Sequence, residues 1–252
     1  MNANPVTACV LIIGNEILSG RTQDINLSFI ARTLNEHGIQ VREARTIPDI
    51  RSVIVETLNQ VRPRFDYVFT TGGIGPTHDD ITAECVAAAF DLPIVMHPVI
   101  ETRIRDYGRQ RGLSEEIITS SLRMARVPQG ADLIETEVGA PGFRIGNVHV
   151  MAGIPAVMQS MLGLLAPELE GHRPVRSRSV GAHLGESLVA DRLSAIQQAH
   201  PDVDIGSYPF SDGGRYGTTL VVRGTDEDRL EAVLEELRAL IVGSGAEPLE
   251  RD

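Results

Sequence analysis

The stretch TTGGIGPTHDDIT, Thr70 to Thr82, places three glycines, a proline, a histidine and two adjacent aspartates directly after an apolar run. Gly72, Gly73 and Gly75 let the backbone turn sharply and approach a ligand closely, so that several N–H groups can aim at one anion. Pro76 and Thr77 extend the turn. Asp79 or Asp80 can cap a helix that begins near Ile81. Two adjacent carboxylates are more than a cap needs. Beside a phosphate, a carboxylate commonly holds a divalent cation, because without one its repulsion from the phosphate opposes binding. The residue types therefore point to a phosphate-bearing small molecule and a metal ion. A second stretch, GNEILSG at Gly14 to Gly20, also follows an apolar run and carries one acid, Glu16.

Strand ends must hold both stretches. Thr7 to Ile13 (TACVLII) is a continuous apolar run closed by Gly14, which suits a strand buried on both faces. Asp24 opens a helical pattern with Leu27, Ile30, Ala31 and Leu34 on one face, and Gly38 stands at the C-cap. Gln40 to Ile47 reads as a second strand, Pro48-Asp49 as a turn, and Ile50, Val53, Ile54, Leu58 and Val61 as a helical stripe. Tyr67 to Thr70 is a third strand running into the glycine loop, and Ile81 to Phe90 the helix after it. Repeated strand–loop–helix units predict an α/β, doubly wound, mostly parallel sheet, with ligands beyond the carboxyl ends of its strands. Helices at Pro98–Gln110 and Glu115–Ala125 follow. Phe143–Ile145 and Val148–Met151 form a hairpin about Gly146-Asn147, and Pro155–Leu165 is a helix with an N1 proline.

The composition shifts near Glu170 to Pro174 (EGHRP), which reads as a linker. Beyond it come a strand (Ser177–Ala182), a helix (Gly185–Ala199), two strands (Val203–Ser207, Thr218–Val222) and a helix (Asp226–Ile241), a small α+β domain. The expected domains are 1–170 and 175–252, with the tail GSGAEPLERD frayed. The chain has 252 residues and a net charge of -11, which argues against a general nucleic-acid partner. No apolar run reaches the length of a membrane span, and the N-terminus lacks the pattern of a signal peptide. Cys9 and Cys85 read as buried thiols. The cytoplasm is the expected compartment, with no membrane partner.

Taken together, strand–TTGG-x-GPT-x-DD-x-T–helix resembles the molybdopterin-binding domain family of molybdenum-cofactor biosynthesis. The resemblance extends to Gly14-Asn15-Glu16-Ile17-Leu18-Ser19-Gly20, similar to that family's GDE-[IL]-L-x-G, and to Gln23-Asp24-Ile25-Asn26. Gly139-Ala140-Pro141-Gly142-Phe143 and Gly153-Ile154-Pro155-Ala156-Val157-Met158 resemble elements of the competence/damage-inducible CinA branch. The smaller C-terminal region is similar, by position and pattern, to the second CinA domain. Asn15 stands where many members have Asp, and Ala152 and Ala156 where Pro and Glu are common. Full-length CinA relatives continue into a nicotinamide-nucleotide amidase domain. The chain stops before it, so that activity is expected to be absent.

The resemblance implies a pocket for a phosphate-bearing nucleotide or pterin. In it the Gly72, Gly73 and Gly75 N–H groups and the Thr71 and Thr77 hydroxyls hold phosphate oxygens. Asp80 binds Mg²⁺ or another divalent cation, and Asp79 assists or activates water, making both catalytic and metal candidates. Gly14, Glu16, Ser19, Asn26, Asp49, Pro76 and Gly142 complete the implied ligand-binding set; local capping, turn and packing roles stand beside Glu16, Ser19, Asn26, Asp49 and Gly142. His78 reads as a solvent-exposed loop histidine. Two functions follow from the resemblance: metal-dependent hydrolysis of an ADP-ribose-type pyrophosphate, or non-catalytic molybdopterin binding. It also implies a homo-oligomer, dimer or trimer.

Overall fold

β1 (Val6–Ile13) is apolar along its length because both its faces are covered. Cys9, Leu11 and Ile13 point into one core layer, and Ala8, Val10 and Ile12 into the other. The computed structural model describes residues 5–250, and the chain divides at His172/Arg173 into two compact units. In the first unit β1 leads through a single turn, α1 (Asn15–Leu18), to α2 (Asn26–Glu36), β2 (Ile39–Ile47), α3 (Arg51–Val61), β3 (Tyr67–Thr71) and α4 (Thr82–Ala89). An excursion follows: β4 (Ile94–Met96), α5 (Pro98–Gln110), α6 (Glu115–Ser121) and β5 (Arg126–Pro128). β6 (Asp132–Ile134), β7 (Gly142–Ile145), β8 (Val148–Met151) and α7 (Pro155–Leu165) complete the unit.

The main sheet has the order β2-β1-β3-β8-β7-β6. β1 runs parallel to β2 and β3, β3 is parallel to β8, and β7 is antiparallel to β8 and β6. The chain leaves β1 for β2 on one side and returns past β1 to β3 on the other. The crevice beyond the carboxyl ends of β1 and β3 is therefore the topological switch point, where open α/β sheets take their ligands. Ile30 and Leu34 of α2 pack with Met158, Met161 and Leu162 of α7 over one face. Ile54 and Leu58 of α3 pack with Cys85 and Val86 of α4 over the other.

Three short strands were not apparent from periodicity. β4 and β5 form a two-stranded antiparallel ribbon, and β6 an edge of the main sheet. The helix expected over Glu115–Ala125 ends at Ser121 and tightens into a 3-10 turn at Leu122–Ala125.

The second unit contains β9 (Arg176–Ala182), α8 (Ala190–Ala199), β10 (Asp204–Asp212), β11 (Arg215–Gly224), α9 (Glu227–Val242) and β12 (Leu249–Glu250). Its sheet, β10-β11-β9-β12, is antiparallel throughout. Leu230, Val233, Leu237 and Leu240 of α9 cover Val180, Leu220 and Val222. Asp226 caps α9, accepting from the Arg229 N–H at 3.0 Å. The helix expected from Gly185 is broken, a 3-10 turn at Glu186–Leu188 preceding α8. The frayed tail is also corrected: Leu249 pairs with Gly181, and Glu250 with Val180, while Arg238 reaches the Glu250 carboxylate at 3.0 Å. Residues 251–252 of that tail lie outside the described residues. No helix among the described residues is long and apolar enough to cross a membrane.

Candidate functional site

The glycine loop lies against the end of β1 and the start of α4. Gly72 and Gly73 have φ of 100° and 68°. A Cβ on Gly72 would run into the Ile13 carbonyl oxygen, and one on Gly73 into the Thr82 hydroxyl. That hydroxyl donates to the Gly72 carbonyl at 2.9 Å, and the Thr82 N–H to the Gly73 carbonyl at 3.0 Å. Gly72 does not offer its N–H to a ligand as expected, because that group donates to the Met151 carbonyl at 3.2 Å and extends the β3–β8 ladder. The next three N–H groups differ. Those of Gly73, Ile74 and Gly75 meet no protein acceptor among the described residues. Thr71, expected to offer its hydroxyl, closes β3 as a buried residue, and Pro76 is exposed at the loop tip.

Neither aspartate caps α4, whose N-cap position, Ile81, has no side-chain hydrogen bond. The carboxylates fold back instead. Asp80 Oδ2 accepts from the Thr77 N–H at 2.8 Å and lies 2.5 Å from Thr77 Oγ1, while Asp79 Oδ1 lies 2.7 Å from the same hydroxyl. Gly75 makes room for this, since a Cβ there would stand 2.6 Å from Asp80 Oδ2. The hydroxyl has one proton, so it satisfies one of the two carboxylates at a time. Its hydrogen bond to Asp79 is the main cause that holds that carboxyl below the usual range. His78 is 96% exposed, 3.9 Å from Asp79 Oδ1.

The loop after β1 is joined to its neighbours by short contacts. The Gly14 N–H donates to the Ile47 carbonyl at 3.1 Å. Asp49 accepts from the Asn15 N–H at 2.8 Å, so its carboxylate ties the end of β2 to the end of β1. The Glu16 carboxylate folds back over Gly14, 2.5 Å from where a Cβ would stand. Ser19 donates to the Glu16 carbonyl at 3.2 Å, a local bond. Asn26, 5% exposed, donates to the Gly153 carbonyl at 2.8 Å and leaves its Oδ1 without a partner. Gly153 packs on Gly72, a Cβ there lying 3.2 Å from the Gly72 Cα. The contacts Ile13–Gly72–Gly153–Asn26 thus bring together the ends of β1, β3 and β8 and the start of α2. Gly142 stands apart from this set. It is buried in β7, where a Cβ would strike the Val150 carbonyl, and its role is close strand packing.

Sequence reasoning missed three charged residues at the glycine loop. Arg123 donates through Nε to the Asp80 carbonyl at 3.3 Å. Glu84, in the first turn of α4, lies 3.5 Å from Arg123 Nη2 and 3.0 Å from Arg126 Nη1. These side chains line a recess with Gly73, Gly75 and Asp80. Arg123 belongs to a stretch with no motif, and only its place in the fold reveals it. Among the described residues no cluster of three or more His, Cys, Asp or Glu side chains forms a ready-made metal cage.

Residues 9–171 match the family model described as a probable molybdopterin binding domain, and residues 174–248 match that of the FAD synthase middle domain. A protein of Archaeoglobus fulgidus is 31% identical over 234 residues, covering 92% of this chain and 96% of its own. A CinA-like protein of Desulfosudis oleivorans is 34% identical over 209 residues, 78% of this chain. A probable FAD synthase of Caenorhabditis elegans is 29% identical over 260 residues, 94% of this chain. The matched region spans 50% of each of the latter two relatives. The crystal structure of the protein CinA, of unknown function, from Thermoplasma acidophilum aligns at 31% identity with a TM-score of 0.59, covering 66% of this chain and 99% of that one.

Proposed function

The chain belongs to the molybdopterin-binding domain family, and from that premise we propose that it binds a phosphate-bearing nucleotide at the β1–β3 crevice and hydrolyses an ADP-ribose-type pyrophosphate with a divalent cation. The observation that carries this reading is the run of three acceptor-free N–H groups, Gly73 to Gly75, beside the paired carboxylates Asp79 and Asp80. Successive backbone N–H groups with no internal partner favour an anion. The probable FAD synthase relative supports the substrate class, since FAD, like ADP-ribose, holds an AMP unit joined through a pyrophosphate bond.

Asp79 and Asp80 fit a magnesium ion. Asp79 is exposed and Asp80 half-buried, and the two share one hydroxyl proton and so keep uncompensated negative charge. Mg²⁺ characteristically takes one or two carboxylates, substrate phosphate oxygens and several waters, and needs no cage of protein ligands. Bound there, it supplies positive charge against the charge that builds on the pyrophosphate oxygens. The chain's own groups do the rest. The Gly73, Ile74 and Gly75 N–H groups hold phosphate oxygens, and Thr77 keeps the two carboxylates in register. The Thr77 hydrogen bond holds the Asp79 carboxyl below its usual range, which suits it to holding a cation and orienting water more than to removing a proton. Glu16, whose carboxylate lies over Gly14, would accept from a ligand hydroxyl.

The competing function is a non-catalytic pterin carrier, favoured by the family's own description. The deciding experiment is an Mg²⁺-dependent cleavage assay on ADP-ribose, FAD and NAD, following AMP. AMP that disappears in Asp80→Ala, with the fold retained, is the expected result. No AMP from any of the three with several metals refutes hydrolysis and makes pterin titration the next measurement.

A further inference from the structure

Two guanidinium groups beside the glycine loop share one carboxylate. Arg126 Nη1 lies 3.0 Å from Glu84 Oε1, and Arg123 Nη2 lies 3.5 Å from the same oxygen. Glu84 is 19% exposed and Arg123 29% exposed, so neither is freely solvated. The acidic turn adds negative charge nearby, since Asp80 lines the recess and Arg123 acts on Asp79 through its charge, but among the described residues Arg123 forms an ion pair with Glu84 alone. The shorter of the two contacts belongs to Arg126, so Glu84 keeps a partner if Arg123 turns away. The other hold on Arg123 is a long 3.3 Å bond to the Asp80 carbonyl. That bond keeps the guanidinium next to the acidic turn and in the recess bordered by Gly73 and Gly75.

We propose that Arg123 is the contact for a second phosphate, so that the site selects a ligand with two linked phosphates over a monophosphate. This inference rests on the reading above that the Gly73–Gly75 N–H groups take the first phosphate. A guanidinium offers a planar fork of donors that matches phosphate oxygens and keeps its charge at every working pH. Arg123 reaches the ligand by exchanging its weaker half of the Glu84 pair for phosphate oxygens, while Arg126 holds Glu84 in place. A monophosphate seated on the backbone N–H groups leaves Arg123 on Glu84 and gains nothing from it. Arg123 is thus a specificity residue for ligand length.

The test is isothermal titration calorimetry with ADP and AMP in Mg²⁺, on the wild type, Arg123→Gln and Arg123→Lys, each checked for folding by its thermal unfolding profile. The wild type is expected to bind ADP more tightly than AMP. Arg123→Gln weakens ADP by about tenfold to a hundredfold, the usual loss of one charged hydrogen-bonding partner, and leaves AMP within about twofold. Arg123→Lys recovers part of the ADP affinity. Equal losses for ADP and AMP assign Arg123 a merely structural role and overturn the proposal. An unchanged ADP preference in Arg123→Gln overturns it and leaves the proposed function standing. A wild type that binds neither nucleotide removes the proposed function and this inference with it.

Discussion

Replacing Gly72 by alanine should damage the molecule more than its one added methyl suggests. Gly72 has φ of 100°, a conformation that costs an L-residue about 1–2 kcal/mol. The new Cβ also meets the Ile13 carbonyl oxygen, which is backbone and cannot rotate away. Ile13 ends a strand whose neighbours Leu11 and Ile12 are buried and pair with Thr70 and Thr71. Relief would therefore shift β1 against β3, adding an overpacking cost of about 1–3 kcal/mol. The sum is about 2–5 kcal/mol, which lowers Tm by on the order of 10 °C for a unit of this size. Gly20→Ala separates the two contributions. Its φ is 72°, but nothing lies within 4 Å of the added Cβ, so it carries the conformational cost alone. Gly14→Ala is a third arm, with extended backbone and only the far end of the Glu16 side chain to displace. Differential scanning calorimetry of the three variants should rank Gly72→Ala well below Gly20→Ala, and Gly14→Ala near the wild type. A Gly72→Ala melting point at or above that of Gly20→Ala would show that β1 and β3 are not locked through this contact.

Two further outcomes follow from buried titratable groups. Burial pushes the Cys9 and Cys85 thiols up to about 11, so native protein should resist a thiol reagent at pH 8 and react fully only after unfolding; fast native labelling of either would show that its site opens. Burial also lowers His149 to about 4 from its ordinary 6.5, and the ring packs on Phe69 with centroids 5.1 Å apart. Between those two values the unfolded chain binds the extra proton, so stability is full above pH 6.5 and falls toward pH 4, by about 3 kcal/mol in all. His149→Phe should flatten that part of a urea-denaturation pH profile, and an unchanged slope would place the titrating group elsewhere.

The elements around the site were legible because they rest on long apolar patterns. TACVLII, the stripe from Ile30 to Leu34 and the run YVFT each bury their residues where the pattern requires. β4, β5 and β6 span three residues each, too few for a period to register, and β12 is shorter still. These strands exist because a neighbour offers a ladder, which a local pattern does not encode. The same division runs through the site. The glycine and aspartate positions were visible as residue types, but the direction of each hydrogen bond was not. The Gly72 N–H is taken by Met151, far along the chain, and Thr77 draws both carboxylates away from the helix that one of them was expected to cap. Charge balance is the least local property of all. Arg123 and Arg126 share the Glu84 carboxylate, and no motif links the three. The two substitutions at this loop therefore probe different sources of information. Asp80→Ala tests chemistry implied by the residue types. Arg123→Gln tests chemistry that arises only when β3, α4 and the turn after α6 are folded together. If cleavage fails in the first while ADP preference survives in the second, the acidic turn is sound and Arg123 belongs to the scaffold.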